Sequence, residues 1–258
     1  MAAIRRFYQL DSARVRHRFF AASRPLVFAH RGGSALAPEN TIDAFDNGLA
    51  LGADGLELDV HLSRDGVVVV HHDRTLDRTT RLRGPVAGRA ARELVDAGVP
   101  RLSDVLERYR AVRVIVEMKV NRPELAVAAV DAVRRAGAID RVCLGAFGRR
   151  ALRTARAIEP AIATSAAREE VRWALYRSWV DWPVLHAGYG GYQVPEWAGR
   201  TRVVSPRFIG AAHRAGLAVQ VWTVDSEDDA RRLLAWGADA LITDRPDIIV
   251  PLVRGLGG

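Results

Sequence analysis

An α/β fold of the (β/α)8 TIM-barrel class is predicted by two patterns in the sequence. From residue 26 onward, short apolar segments rich in β-branched residues alternate with amphipathic helical patterns, as in a parallel sheet with helical crossovers. The chain also reuses one helix–glycine–strand junction. LALGADGLELD (49–59) matches LAWGADALITD (234–244), and RAGAIDRVCLGAF (135–147) has the same order as RAGLAVQVWTV (214–224). A barrel built from repeated βα units produces such repetition, and 258 residues suffice for one barrel domain.

Nine segments qualify as strands: LVFAHR (26–31), GLELDV (55–60), VVVVHH (67–72), VRVIVEM (112–118), VCLGAF (142–147), AIATS (161–165), GYQVP (191–195), AVQVWTV (218–224) and ALITD (240–244). A barrel has eight places for them. The connector HLSRD is too short for a helix, so the step between the second and third strands is irregular and helix-less, either a bare crossover or a hairpin. Three helices are well punctuated. TIDAFDNGLALG sets Ile42, Phe45 and Leu49 on one stripe and stops at Gly52. ELAVAAVDAVRRAG follows Pro123 and stops at Gly137, and Ser205 caps a helix that opens with Pro206 and halts at Gly216. A doubly wound open sheet is the competing fold. It is disfavoured because no G-x-G-x-x-G follows the first strand and HRGGS lacks the lysine and spacing of a phosphate loop.

Hydrophobic residues make up 49% and charged residues 26%, as in a soluble globular protein, and no apolar run approaches the roughly 18 residues that cross a bilayer. Cys143 is the only cysteine and the N-terminus lacks a signal-peptide pattern, so a cytoplasmic setting is expected. The net charge is +8, but Arg5, Arg6, Arg14, Arg16, Arg18 and Arg24 against Asp11 concentrate +5 of it in the first 25 residues. Residues 1–24 therefore read as a basic N-terminal extension and 25–258 as a single barrel domain. A charge concentrated mostly in a tail argues against a nucleic-acid partner and leaves peripheral contact with an anionic membrane open to that arm.

In GLELDV, Leu56, Leu58 and Val60 alternate with Glu57 and Asp59, which puts both carboxylates on one face of a strand. If that face is interior, the pair repel each other and lose hydration, at several kcal/mol per ion, unless a cation compensates. A solvent-facing acidic pair is the alternative. Glu117 and Lys119 share the phase opposite to Val114 and Val116 in the same manner. Three carboxylates form a hard oxygen set suited to Ca²⁺ or Mg²⁺, whereas no Cys or His cluster has zinc spacing. His30 ends one apolar run and is followed by Arg31, Gly32 and Gly33; His71 and His72 end another and are followed by Asp73. Strand ends are where barrel chemistry sits, and imidazoles there are suited to proton transfer near neutral pH.

The series HRGGSALAPENTIDAF, GADGLELDVHLSRDGVVVVHHDRTLDRTT, VIVEMK, VWTVD and ITDRP, spread from residue 30 to 246, resembles the glycerophosphodiester phosphodiesterase family, one of the phospholipase-C-like barrels. The resemblance implies metal-dependent hydrolysis of a small-molecule glycerophosphodiester to sn-glycerol 3-phosphate and an alcohol. It implies His30 and His72 as the catalytic acid/base pair, and Glu57, Asp59 and Glu117 as ligands of one divalent cation, Ca²⁺ or Mg²⁺. Arg31 and Lys119 would grip phosphate and Trp222 would wall the substrate. Glu39, Asn40 and Asp73 would hold loops and ligands in place. A lysophospholipase-D-like action at a membrane surface is the alternative within the same family. Ala146-Phe147 stands where the family often has Ser-Phe, and Leu82 where it often has glycine.

Overall fold

Eight parallel strands form a ring around a central axis, with helices packed outside it, in this computed structural model, which describes residues 17–184 and 187–255. The strands are β1 (Leu26–His30), β2 (Gly55–Leu62), β3 (Val68–Val70), β4 (Arg113–Met118), β5 (Val142–Gly145), β6 (Ala163–Thr164), β7 (Gly191–Pro195), β8 (Trp197–Ala198), β9 (Thr201–Arg202), β10 (Ala218–Trp222) and β11 (Ala240–Thr243). The helices are α1 (Ile42–Ala50), α2 (Ala91–Val95), α3 (Leu102–Arg108), α4 (Pro123–Arg135), α5 (Arg149–Ile158), α6 (Arg168–Trp179), α7 (Pro206–Arg214), α8 (Glu227–Ala235) and α9 (Pro246–Gly255). In the ring, β6, β5, β4, β2, β1, β11, β10 and β7 are successive neighbours. A bridge from Ser165 to Gly191 joins β6 to β7 and closes it.

The ninth strand candidate resolves as a hairpin. β3 pairs antiparallel with β2 through Val60–Val70, His61–Val69 and Leu62–Val68, so VVVVHH is an outer flap on the second stave and not a stave itself. The five residues between them turn back because a parallel return needs a crossover of a dozen or more. The expected helices are present: Thr41 Oγ1 caps α1 by accepting from the Ala44 amide, and Ser205 Oγ caps α7 by accepting from Phe208. At the four repeated junctions Gly52, Gly137, Gly216 and Gly237 have φ between 58° and 97°. That left-handed conformation ends a helix at little cost only without a Cβ.

Alternation along the staves sorts the side chains. Leu56, Leu58, Val60, Val114 and Val116 point outward into a core shared with Leu125, Val130 and Val133 of α4. The opposite phase points into the ring, where Leu26, Phe28, Ile115 and Cys143 pack together with Phe19 and Phe20. Phe19 and Phe20 lie inside the segment read as a basic extension, yet both are buried, and Phe19 stacks on Phe28 at 5.8 Å. Residues 1–16 of that segment lie outside the described residues. Among the described residues no helix is long and apolar enough to cross a membrane.

Candidate active site

The inward phase of the staves changes from apolar below to charged above. His30 is in register with Glu57, and Asp59 with Glu117, so the ends of β1, β2 and β4 bring one imidazole and three carboxylates to neighbouring positions. A cavity of about 390 Å³ opens there, lined by His30, Arg31, Glu57, Asp59, His72, Glu117, Lys119 and Trp222 among others. All eight of the residues expected to act on the substrate or an ion therefore face one space. Glu39, Asn40 and Asp73 stand behind that lining.

Each histidine is held by an acid. His30 Nδ1 lies 2.7 Å from Asp244 Oδ1, and His72 Nδ1 lies 2.6 Å from Asp73 Oδ1. An ionised carboxylate only accepts, which assigns the Nδ1 proton to each ring and leaves Nε2 free to take or give a proton. His30 Nε2 is 3.7 Å from Glu57 Oε2. Burial disfavours charge on His30, but Glu57 and Asp244 outweigh it and raise its pKa. Asp73 also accepts from Arg78 Nε at 2.7 Å, and that contact holds its carboxyl well below the usual range. The other edge of Arg78 donates to Glu39 at 2.7 and 2.9 Å, and Glu39 accepts from Arg31 Nη1 at 3.2 Å.

The turn after β1 is shaped for this arrangement. Arg31 adopts φ 51°, which aims its amide at Glu57 Oε2, 3.2 Å away. Gly32 follows at φ 90°, where a Cβ would lie 2.7 Å from the Ala44 backbone, so only glycine lets the loop rest on α1. Asn40 is buried and donates to Asp59 Oδ2 at 3.0 Å while accepting from the Asp59 amide at 3.3 Å. Asp59 is further flanked by Arg31 Nε and Lys119 Nζ, each at 3.2 Å.

The chemistry of the acids fits a hard divalent ion. Burial, then the neighbouring Asp59, pushes the Glu57 carboxyl up to about 7. Burial pushes Glu117 up to about 8 against the pull of Lys119, with Asp59 and Glu57 adding to the rise. Two buried carboxyls short of positive charge are what a cation relieves. Among the described residues no group of three or more His, Cys, Asp or Glu side chains is closed around a common point as it stands. Asp59 instead faces the two cationic side chains beside it.

Sequence reasoning missed Asp244, which orients His30 and also accepts from Ser34 Oγ at 2.5 Å, and Arg78, which joins Asp73 to Glu39. The first had a signal. The repeated junction aligns Asp244 at the end of β11 with Asp59 in β2, so an acid at that mouth position was written in the repeat. His61 and His71 are buried and spend Nε2 on the carbonyls of His72 and Thr75, away from the cavity.

The chain is similar to known proteins over most of its length. It is 30% identical over 254 residues to a glycerophosphodiester phosphodiesterase of Caldanaerobacter subterraneus subsp. tengcongensis, an alignment covering 90% of this chain and 98% of that protein. It superimposes with a TM-score of 0.74 on an Oleispira antarctica phosphodiesterase solved with its product sn-glycerol-3-phosphate, at 27% identity, covering 90% of this chain and 97% of that one. A Silicibacter pomeroyi structure, described as a putative glycerophosphoryl diester phosphodiesterase, shares the fold with a TM-score of 0.77 at 24% identity, covering 93% and 97%. The family model for the glycerophosphoryl diester phosphodiesterases matches residues 30–248, and with that match over a barrel of the same architecture, the chain belongs to the glycerophosphoryl diester phosphodiesterase family.

Proposed function

We propose that this protein hydrolyses glycerophosphodiesters to sn-glycerol 3-phosphate and an alcohol, with His30 and His72 as the general acid/base pair. One observation carries the reading. Two imidazoles, each with Nδ1 on a carboxylate, line one cavity together with three acids and the cations Arg31 and Lys119. A divalent ion, Ca²⁺ or Mg²⁺, held by Glu57, Asp59 and Glu117 would supply Lewis-acid polarisation of a phosphoryl oxygen. Arg31 and Lys119, already beside Asp59, bind the remaining phosphoryl oxygens and offset the charge that grows on them in the transition state. One histidine Nε2 takes the proton of the attacking oxygen, and the other gives a proton to the departing alkoxide. Asp244 and Asp73 keep both rings in the tautomer this exchange needs. Glu39 and Asn40 hold Arg31 and Asp59, and Trp222 walls the cavity beside Phe147, ring centroids 6.1 Å apart.

The test is an assay of the purified protein on several glycerophosphodiesters in Ca²⁺, Mg²⁺ or EDTA, with the phosphate product identified. The reading expects sn-glycerol 3-phosphate in a divalent ion and loss of turnover in EDTA that returned metal restores. Full turnover in EDTA by metal-free protein would remove the ion from the mechanism, and no turnover of any diester would remove the activity.

A further inference from the structure

One helix on the outside of the barrel is apolar on two faces, and the fold covers only one of them. α6 turns Ala174, Leu175 and Ser178 inward, where Ala174 and Leu175 share a core with Phe208 and Ile209 of α7. The helical period puts Trp173, Tyr176 and Trp179 on the other side. Their rings touch in series, with the Trp173 and Tyr176 centroids 6.3 Å apart and those of Tyr176 and Trp179 5.2 Å apart. The chain continues into Val180, 72% exposed, and Trp182. Three of the six tryptophans therefore lie between residues 173 and 182, each more than half exposed, and the proposed chemistry uses none of them.

We infer that this face of α6 docks on an anionic phospholipid bilayer, with its rings at the level of the headgroups. The inference concerns the outside of the barrel and does not depend on the phosphodiesterase reading. A contiguous aromatic surface left open to water marks a binding face. Trp and Tyr join an apolar ring to one polar tip, which suits the boundary between acyl chains and headgroups. Charge then selects the occupant. Arg172, exposed on the same face, and Arg177 meet no carboxylate among the described residues, and Arg207 donates to the Trp179 carbonyl at 3.1 Å. The nearby acids are mostly engaged: Asp181 pairs with Arg214 at 2.7 Å and Glu170 with Arg156 at 2.7 Å, which leaves only the half-buried Glu169. The whole chain carries +8, so a negative surface attracts it at longer range as well. A second copy of the chain fits less well. Two-fold pairing sets one patch against itself, so the guanidiniums of Arg172 and Arg177 in both copies would lose water with no acid free to meet them apart from Glu169.

The test is flotation of the full chain with vesicles of phosphatidylcholine alone or of equimolar phosphatidylcholine and phosphatidylglycerol, together with analytical ultracentrifugation in the absence of lipid. Partition onto the anionic vesicles is expected to exceed that onto neutral ones by about tenfold or more and to weaken with added salt. Trp173→Ser combined with Trp182→Ser, and independently Arg172→Glu, should each lower partition onto the anionic vesicles by about tenfold or more at an unchanged melting temperature. Both variants keep residues 1–16, so attraction through that basic segment is common to all three proteins and does not produce the difference. Absence of partition by the wild type, equal partition onto both kinds of vesicle, or partition that either variant retains in full overturns the inference. A lipid-free dimer that the double tryptophan variant abolishes also overturns it and gives the face to a second copy.

Discussion

Adding Ca²⁺ to the metal-free protein at pH 6.5 should expel about one to two protons per chain. The two carboxyls that burial holds at about 7 and about 8 are largely protonated at that pH, and a cation binds only their ionised forms. The same shifts act on stability. In the unfolded chain both groups titrate near 4.5, so between about 4.5 and 8 the folded chain keeps protons that the unfolded chain has lost. Stability of the metal-free protein therefore falls as pH rises through that window. Glu57, 6% exposed, rises from 4.5 to about 7, a change of roughly 3 kcal/mol, which lowers Tm by about 6–12 °C in a domain of this size. Bound Ca²⁺ removes that loss, and its Kd should fall at least about tenfold between pH 6 and pH 8. Calorimetric titration in two buffers of different ionisation enthalpy counts the protons, and thermal melts across pH read the stability. A Kd that is the same at both pH values, with no proton released, would refute the placement of Glu57 and Glu117 as ligands.

Four further outcomes concern individual side chains and the N-terminal segment. His72→Ala and His30→Ala should each lower kcat by about 10²–10⁴-fold with the melting temperature little changed, since each ring is a partly exposed group to which the proposed mechanism gives a proton transfer. Asp244→Asn replaces an accept-only carboxylate with an amide that can also donate to Nδ1, so the His30 tautomer is no longer fixed and kcat should fall about a hundredfold or more, while KM changes little; an unaltered kcat would deny Asp244 its orienting role. Phe19→Ala should cost about 3–5 kcal/mol in chemical denaturation, because Phe19 is fully buried inside the ring, whereas deletion of residues 1–16 should leave turnover of a soluble diester unchanged.

Much of the site was open to sequence reasoning because it is written in local periodicity. Glu57 and Asp59 share a face with each other, and Glu117 with Lys119, for no reason beyond the two-residue repeat of a strand. The histidines could be placed for a related reason, since each ends an apolar run and a barrel gathers such ends at one mouth. Arg78 was less accessible. Its role depends on a loop folding back so that one guanidinium meets both Asp73 and Glu39, 39 residues away.

The amino-acid pattern by itself determined a βα repeat, the shared strand face of Glu57 with Asp59 and of Glu117 with Lys119, and glycine stops at the four junctions. Tertiary structure alone decided three things. The VVVVHH segment became a hairpin arm and not a ninth stave, Phe19 and Phe20 joined the interior, and Asp244 reached across 214 residues to His30. The physical reason is range. Side-chain phase follows from the backbone conformation of a few residues, while a strand's partner, or the acid that steadies a given imidazole, is chosen only when distant segments compete for the same edge and the same space.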